Sequence, residues 1–174
     1  PVIEEALDNG LSIVNGLHDV LNERWSQHIK NPLKQWIWDV RIPLFTPEIA
    51  TGKASQLQNK RVLFIGTDMA VGKMTAGLEL YSWLLEHKKK VGFVATGQIG
   101  ITIVGKGIPL DAFKVDHACG AVEQVVLDQA DKDIILIEGQ GSLLHPGSTA
   151  TLPLMRGSCP THLILCLRAE IKTL

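Results

Sequence analysis

The sequence has 174 residues, of which 45% are hydrophobic and 20% are charged, with a net charge of −1. This balance predicts one globular domain, or one domain with part of another, and it gives no overall positive charge that would attract the protein to nucleic acid or anionic membranes. No apolar run approaches the length that crosses a bilayer. Three cysteines without metal-type spacing indicate reduced thiols in a cytoplasmic protein: Cys119, Cys159 and Cys166.

Residues 1–44 alternate short helix-like and strand-like patterns. VIEEALDNG is helix-like, LSIVNGL is a short apolar run, and WIWDVR at Trp36–Arg41 is strand-like. This alternation predicts the last part of an α/β unit. Because the sequence begins at Pro1 without an initiator methionine, we expect it to be a piece of a longer protein. Proline, glycine and small polar residues then predict a linker over residues 45–60.

Residues 61–174 show the regular pattern of a parallel α/β domain. Four apolar runs predict strands, and helical patterns cover Gly72–Glu86 and residues 120–130. The strand sequences are RVLFIG, VGFVAT, DIILIEG and THLILCLR. Strands separated by helices or long loops predict a parallel sheet with helices on both faces. We expect the sheet to be completed by strands beyond Leu174.

A phosphate-binding loop (P-loop) is predicted between the first of these strands and the following helix. In such a loop, glycines let backbone amides face phosphate oxygens at a helix N-terminus, and a lysine adds positive charge. The sequence GTDMAVGKMT at residues 66–75 has this context, so it predicts a bound phosphorylated nucleotide or cofactor. The residues predicted to bind the cofactor here are Gly66, Thr67, Asp68, Val71, Gly72, Lys73, Met74 and Thr75.

The loop departs from the common P-loop pattern in two ways. Five residues, not four, separate Gly66 from Gly72, and Met74 stands where a Ser or Thr usually binds Mg²⁺. A thioether is a poor ligand for a hard cation such as Mg²⁺. The loop therefore predicts phosphate binding more firmly than it predicts Mg-ATP chemistry.

Polar residues after the next two strands are expected at the same sheet edge, where ligands bind in open α/β sheets. Gln98 follows the second strand and is a further candidate cofactor contact, in a glycine-rich loop. Glu138 ends the third strand and is a candidate catalytic or metal-binding group; alternatively, it caps the amides of Gly141 or Ser142. Gln140 and Ser142 follow it as candidate substrate contacts.

Two more candidates lie in predicted loops. His145 is a candidate general base, since the pKa of a free histidine is near 6.5, or a loop residue packed for its shape. Asp116 is a candidate substrate ligand, or a helix-capping residue before the helix that starts near Gly120.

Several of these segments are similar to a family long described only as a domain of unknown function, which includes D-glutamate N-acetyltransferases of the DgcN type. The segments are GTDMAVGKMTAGLEL, ATGQIGI, GIPLDAFKVDHACGAVE and IEGQGSLLHP. The resemblance implies a homo-oligomeric two-domain protein, with residues 1–44 ending a Rossmann-like domain, that acetylates an amino-acid amine from acetyl-CoA. The loop also resembles that of dethiobiotin synthetase.

Three functions remain open at this point. The first is N-acyl transfer, with coenzyme A phosphates at Lys73 and Glu138 or His145 as the base. The second is an ATP-dependent ligase, as the dethiobiotin synthetase resemblance implies, with Thr75 and Glu138 holding Mg²⁺ and Asp68 assisting. The third is a non-catalytic nucleotide-binding domain. For either enzyme the partner is a small-molecule substrate.

Overall fold

A computed structural model describes residues 2–169 of the chain. Near the N-terminus, two short strands form a small parallel sheet. Strands β1 and β2 pair in parallel, with Ile13 opposite Ile37 and Asn15 opposite Asp39. This region contains α1 (Val2–Asp8), β1 (Ile13–Asn15), α2 (Leu21–Trp25) and β2 (Ile37–Asp39). The alternation predicted for residues 1–44 is therefore confirmed.

A four-stranded parallel sheet forms the centre of the larger region. Its strands are β3 (Lys60–Gly66), β4 (Val91–Val94), β5 (Ile134–Ile137) and β6 (His162–Cys166). The spatial order is β4-β5-β3-β6, and every neighbouring pair is parallel. Because β5 lies between β4 and β3, the residues that follow these three strands meet at one edge of the sheet.

Helices cover both faces of this sheet, as predicted. They are α3 (Lys73–Glu86), α4 (Gln98–Val104), α5 (Val115–Leu127) and α6 (Thr151–Ser158). Side chains alternate between the faces, so Leu63 joins the apolar core under α5 and α6, while Phe64 joins the core under α3 and α4. None of the helices within residues 2–169 is both long and apolar enough to span a bilayer.

The segment 45–60, predicted as a linker, packs onto α5. Ala54 is completely buried, and the amides of Thr51 and Ala54 donate hydrogen bonds to the Glu123 carboxylate at 2.8 and 3.5 Å. This buried carboxylate thus fixes the connecting segment to the sheet domain. The last five residues of the predicted domain, 170–174, lie outside the described residues.

Three local predictions were wrong or incomplete. The glycine-rich stretch after β4 is not a continuous loop, because α4 begins at Gln98 and ends before Gly105, which adopts a left-handed φ of 80°. Helix α5 begins at Val115, so Asp116 lies in its first turn and not in a preceding loop. Helix α6 was not predicted, because Pro153 and Gly157 interrupt the usual helical pattern.

Candidate functional site

The predicted P-loop connects β3 to α3 through a tight backbone turn. Gly72 has φ 93°, and Ala70 is a rare non-glycine residue in the left-handed region, with φ 55°. Gly66 allows the loop to fold over itself, because a Cβ there would lie 2.7 Å from Val71 Cγ2 and 2.9 Å from Lys73 Nζ. The described loop therefore has the strand, turn and helix arrangement expected of a phosphate-binding site.

Lys73 is enclosed by this loop. Its side chain is only 7% exposed, and its Nζ donates a hydrogen bond to the Asp68 carbonyl oxygen at 3.0 Å. Burial lowers the pKa of Lys73, although nearby Cys166 and Asp68 partly offset this effect. The ammonium is thus held at the base of the loop, at the cavity described below.

Glu138 directly follows β5 and is a buried carboxylate, only 2% exposed. Its Oε2 accepts hydrogen bonds from the amides of Thr96 at 2.8 Å and Gly97 at 3.2 Å. Burial raises the pKa of Glu138, and these two hydrogen bonds offset only part of that rise. The alternative in which Glu138 caps Gly141 or Ser142 is wrong. The amides that donate hydrogen bonds to its carboxylate belong to Thr96 and Gly97, which follow the neighbouring strand β4.

Two glycines make room for these polar groups. A Cβ on Gly100 would overlap the Glu138 carboxylate, so this glycine lets α4 pass directly over it. A Cβ on Gly139 would overlap the Phe64 carbonyl oxygen and lie 3.0 Å from Lys73 Cδ. The close approach of α4, the loop after β5 and the Lys73 stem therefore requires glycine at both positions.

A cavity of about 600 Å³ opens at this edge of the sheet. It collects residues from the P-loop, from the start of α4 and from the loop after β5. Seven of the predicted site residues line it: Gly72, Lys73, Met74, Thr75, Gln98, Glu138 and Gln140. The structure thus brings together the phosphate-loop lysine, a buried carboxylate and two side-chain carboxamides.

The remaining P-loop candidates do not line the cavity: they are Gly66, Thr67, Asp68 and Val71. The Thr67 amide donates a hydrogen bond to the Cys166 carbonyl oxygen at 3.1 Å, and Asp68 Oδ1 accepts a hydrogen bond from the Met69 amide at 2.7 Å. Gly66 is buried, and its carbonyl oxygen accepts the Leu143 amide at 2.9 Å. These contacts shape the loop and tie it to its neighbours.

Ser142 and His145 lie beyond the lining of this cavity. Ser142 is 2% exposed, and its Oγ accepts the amides of Leu144 at 3.2 Å and His145 at 2.7 Å. His145 is exposed, and its Nδ1 accepts the Gly147 amide at 3.1 Å. In this structure both side chains organise the turn after the cavity.

Asp116 is exposed on the first turn of α5 and does not line the cavity. The N-cap residue of α5 is Lys114, which makes no side-chain capping hydrogen bond, so the capping interpretation of Asp116 is wrong. The neighbouring His117 contacts the Pro47 carbonyl oxygen through Nδ1 at 2.7 Å. This part of α5 therefore holds the connecting segment.

Sequence reasoning missed how closely Thr96 is involved in the site. Thr96 is 1% exposed, and its hydroxyl donates to the Glu138 carbonyl oxygen at 2.9 Å, so it contacts Glu138 twice. Its position two residues after the end of β4, at the sheet edge where ligands bind, was the available signal. Within residues 2–169, no group of three or more His, Cys, Asp or Glu side chains is arranged to hold a metal ion.

These features define an α/β protein in which a P-loop domain follows the end of a Rossmann-like unit. Residues 48–174 match the family model described as "Domain of unknown function (DUF1611_C) P-loop domain", and residues 1–43 match "Domain of unknown function (DUF1611_N) Rossmann-like domain". The chain belongs to this DUF1611 family, and the resemblance noted from its sequence is confirmed.

Two curated relatives share the name D-glutamate N-acetyltransferase. The protein from Pseudoalteromonas sp. is 41% identical over 170 residues, and that from Tritonibacter scottomollicae is 38% identical over 167 residues. Each match covers 95% of this chain but 50% of the relative, so the chain spans about half the length of these proteins.

A solved structure of a DUF1611 family protein from Anabaena variabilis is also similar to the chain. It superposes with a TM-score of 0.90 at 48% identity and covers 97% of this chain and 49% of that protein. The fold described above is therefore also found in an experimental structure of the same family.

Proposed function

We propose that this chain carries the P-loop part of an N-acyltransferase that uses acetyl-CoA to acetylate the amine of an amino acid such as D-glutamate. One observation carries the proposal: Lys73 and the buried Glu138 line the same cavity of about 600 Å³. The names of the two curated relatives support this reaction class. We also expect a cytoplasmic homo-oligomer, and light scattering of the full-length protein tests its oligomeric state.

The donor is expected to bind through its phosphates. Coenzyme A carries a pyrophosphate and a 3′-phosphate, and the amides and lysine of a P-loop bind such groups without needing a metal ion. Lys73 is the charged contact in this proposal. Met74 next to it does not weaken the proposal, since no hydroxyl is needed to hold Mg²⁺.

Glu138 is the proposed general base. Its raised pKa makes it a better proton acceptor than an ordinary carboxylate, and its position in the cavity suits contact with the acceptor ammonium. Glu138 takes one proton from the ammonium, and the free amine attacks the thioester carbonyl. A C–N bond forms, the C–S bond breaks, and the second amine proton passes to the coenzyme A thiolate.

The tetrahedral intermediate of this reaction carries a negative oxygen. Backbone amides of a glycine-containing turn stabilise such an oxyanion when they point into a site with little water. Gly139 and Gly141 line the cavity directly after Glu138, so this turn is the proposed oxyanion-binding element. The carboxamides of Gln98 and Gln140 are the proposed contacts to the reactants.

Calorimetric titration of the full-length protein tests the donor site. Acetyl-CoA is expected to bind the wild type, and Lys73→Ala is expected to weaken that binding about tenfold or more, since a charged hydrogen bond contributes about 1.5–3 kcal/mol. Lys89→Ala removes an exposed lysine after α3 and serves as the matched control. Absence of acetyl-CoA binding by the wild type would overturn the proposal.

The alternative function is an ATP-dependent ligase, and one observation favours it. The Thr75 hydroxyl and the Glu138 carboxylate line the same cavity and are hard oxygen donors for Mg²⁺, with Asp68 in the adjoining loop. Titration with ATP in the presence and absence of Mg²⁺ separates the alternatives. Mg-dependent ATP binding without acetyl-CoA binding supports the ligase, and ATP binding without turnover supports a non-catalytic nucleotide-binding domain.

A further inference from the structure

The Gln98 side chain touches the N-terminal region of the chain. Gln98 lines the cavity, and its carboxamide makes no hydrogen bond to any other described residue. Its stem packs against Gly16, the residue after β1, because a Cβ placed on Gly16 would lie 3.3 Å from Gln98 Cγ. The turn after β1 therefore forms one wall behind this cavity residue.

Arg41 holds that turn in place. Its Nε donates a hydrogen bond to the Gly16 carbonyl oxygen at 2.6 Å, and its Nη1 forms an ion pair with Asp111. The Arg41 side chain is only 17% exposed, whereas that of Asp111 is 49% exposed, so the hydrogen bond to Gly16 is better shielded from solvent than the ion pair. One guanidinium thus joins the turn after β1 to the short helical turn that follows α4.

Apolar packing places Arg41 at this junction. Val40 precedes it and is 3% exposed, in the same core as Ala95 and Ile101. Ala95 directly follows β4, and Ile101 lies within α4, so the end of the N-terminal region is anchored beside the element that begins with Gln98. The position of the guanidinium is therefore fixed by the core.

We propose that Arg41 is a positioning residue that holds Gly16 against Gln98 and thereby orients the Gln98 carboxamide toward the bound reactant. This inference rests on the proposed function only in taking the cavity as the reactant site. It assigns the Rossmann-like region a direct part in the P-loop site. Arg41 itself does not touch the reactants.

Steady-state kinetics of the full-length protein test this proposal. Gln98→Ala is expected to raise the KM of one reactant about tenfold, and Arg41→Ala is expected to raise the same KM about fivefold, with kcat within about threefold of wild type. The double variant is expected to match Gln98→Ala within about twofold, because both substitutions disturb one contact. Arg24→Ala removes an exposed arginine of α2 and is the matched control.

Gly16→Ala provides a second variant that leaves the Arg41 ion pair in place. The Gly16 φ lies outside the left-handed region, so alanine is tolerated by the backbone and adds only a methyl group facing Gln98. A smaller rise in the same KM is expected, and Gln98→Ala should abolish the effect of this methyl group.

Three results overturn the proposal: Arg41→Ala lowers Tm but leaves KM unchanged, the Arg41 and Gln98 effects multiply independently, or Gln98→Ala has no effect. Each leaves acyl transfer intact, because wild-type turnover is measured in the same series. If the wild type binds ATP and not acetyl-CoA, the proposed function fails. The same variants are then compared by their Kd for ATP.

Discussion

Substitution of Glu138 by glutamine separates the chemical role of this residue from its structural role. Glutamine keeps the size of the side chain and an oxygen that accepts the Thr96 and Gly97 amides, but it removes the negative charge and the basic oxygen. If Glu138 is the general base, acetyl transfer falls about 10²–10⁴-fold, the usual contribution of such a group. This loss corresponds to about 2.7–5.4 kcal/mol of transition-state stabilisation.

Whereas the activity of Glu138→Gln is expected to fall, its thermal stability is expected to stay the same or rise. Burial raises the pKa of Glu138, so the folded protein binds this proton more tightly than the unfolded chain does. Its contribution to the free energy of unfolding therefore falls as pH rises from the ordinary carboxylate pKa through the raised value. Glu138→Gln removes this destabilising charge, and its Tm at pH 8 is expected to equal or exceed that of wild type.

Glu123→Gln is a matched control, since Glu123 is also a buried carboxylate. Burial raises the pKa of Glu123, but hydrogen bonds from Thr51 and Ala54 outweigh this effect and lower the pKa overall. Its stabilising contribution is present above the ordinary carboxylate pKa and is lost as pH falls through the lowered value. We expect Glu123→Gln to lose about 1–2 kcal/mol of stability at neutral pH while keeping near wild-type kcat.

Both variants are measured by thiol release from acetyl-CoA and by thermal unfolding between pH 5 and about 9, in full-length protein. The wild-type kcat/KM is expected to fall on acidification with a pKa above the ordinary carboxylate range, and residual Glu138→Gln activity should lack that dependence. A Glu138→Gln variant with normal turnover would refute the general-base role. A fall in Tm with unchanged turnover would make the carboxylate structural.

Three further variants test the geometry of the site. Lys73→Met is expected to remove phosphate binding in calorimetry while leaving Tm at neutral pH unchanged or higher, because burial disfavours the charged lysine; unchanged binding would contradict the loop assignment. Gly100→Ala is expected to lower turnover at least about tenfold, because its methyl group would displace the Glu138 carboxylate, while the circular dichroism spectrum stays near that of wild type. Normal turnover would show that the space beside Glu138 does not require glycine at this position. His145→Ala is expected to retain activity within about twofold, since His145 does not line the cavity; a loss of about 100-fold would make His145 the base instead.

The phosphate loop could be predicted from the sequence because its signals are local. An apolar run, a glycine-bounded turn and a lysine before a helical pattern all lie within residues 61–86, and no distant contact is needed to interpret them. The placement of Glu138 at the same edge also followed from a simple rule, because residues after parallel strands share one edge. The spatial order β4-β5-β3, which the structure supplies, shows which of these residues are direct neighbours.

The partners of Glu138 could not be predicted, because they depend on that order. Thr96 is 42 residues away in sequence, and only the pairing of β4 with β5 brings its amide to the carboxylate. Helix α4 was missed because Gly97 and Gly100 weaken a helical pattern, although Gly100 is needed for clearance over Glu138. Glycine lowers the helix propensity of this segment, but it is needed there because α4 passes close to Glu138. That contact between distant segments cannot be read from the local sequence.

The hydrogen bond between Lys73 and the Asp68 carbonyl has a consequence for the thermodynamics of binding. This hydrogen bond already orders the lysine side chain within the loop, so little side-chain freedom is left to be lost when a phosphate binds. An arriving phosphate exchanges one acceptor of the ammonium for another. Binding is therefore expected to show a small conformational-entropy cost and a modest heat-capacity change, unlike the large values that accompany coupled folding.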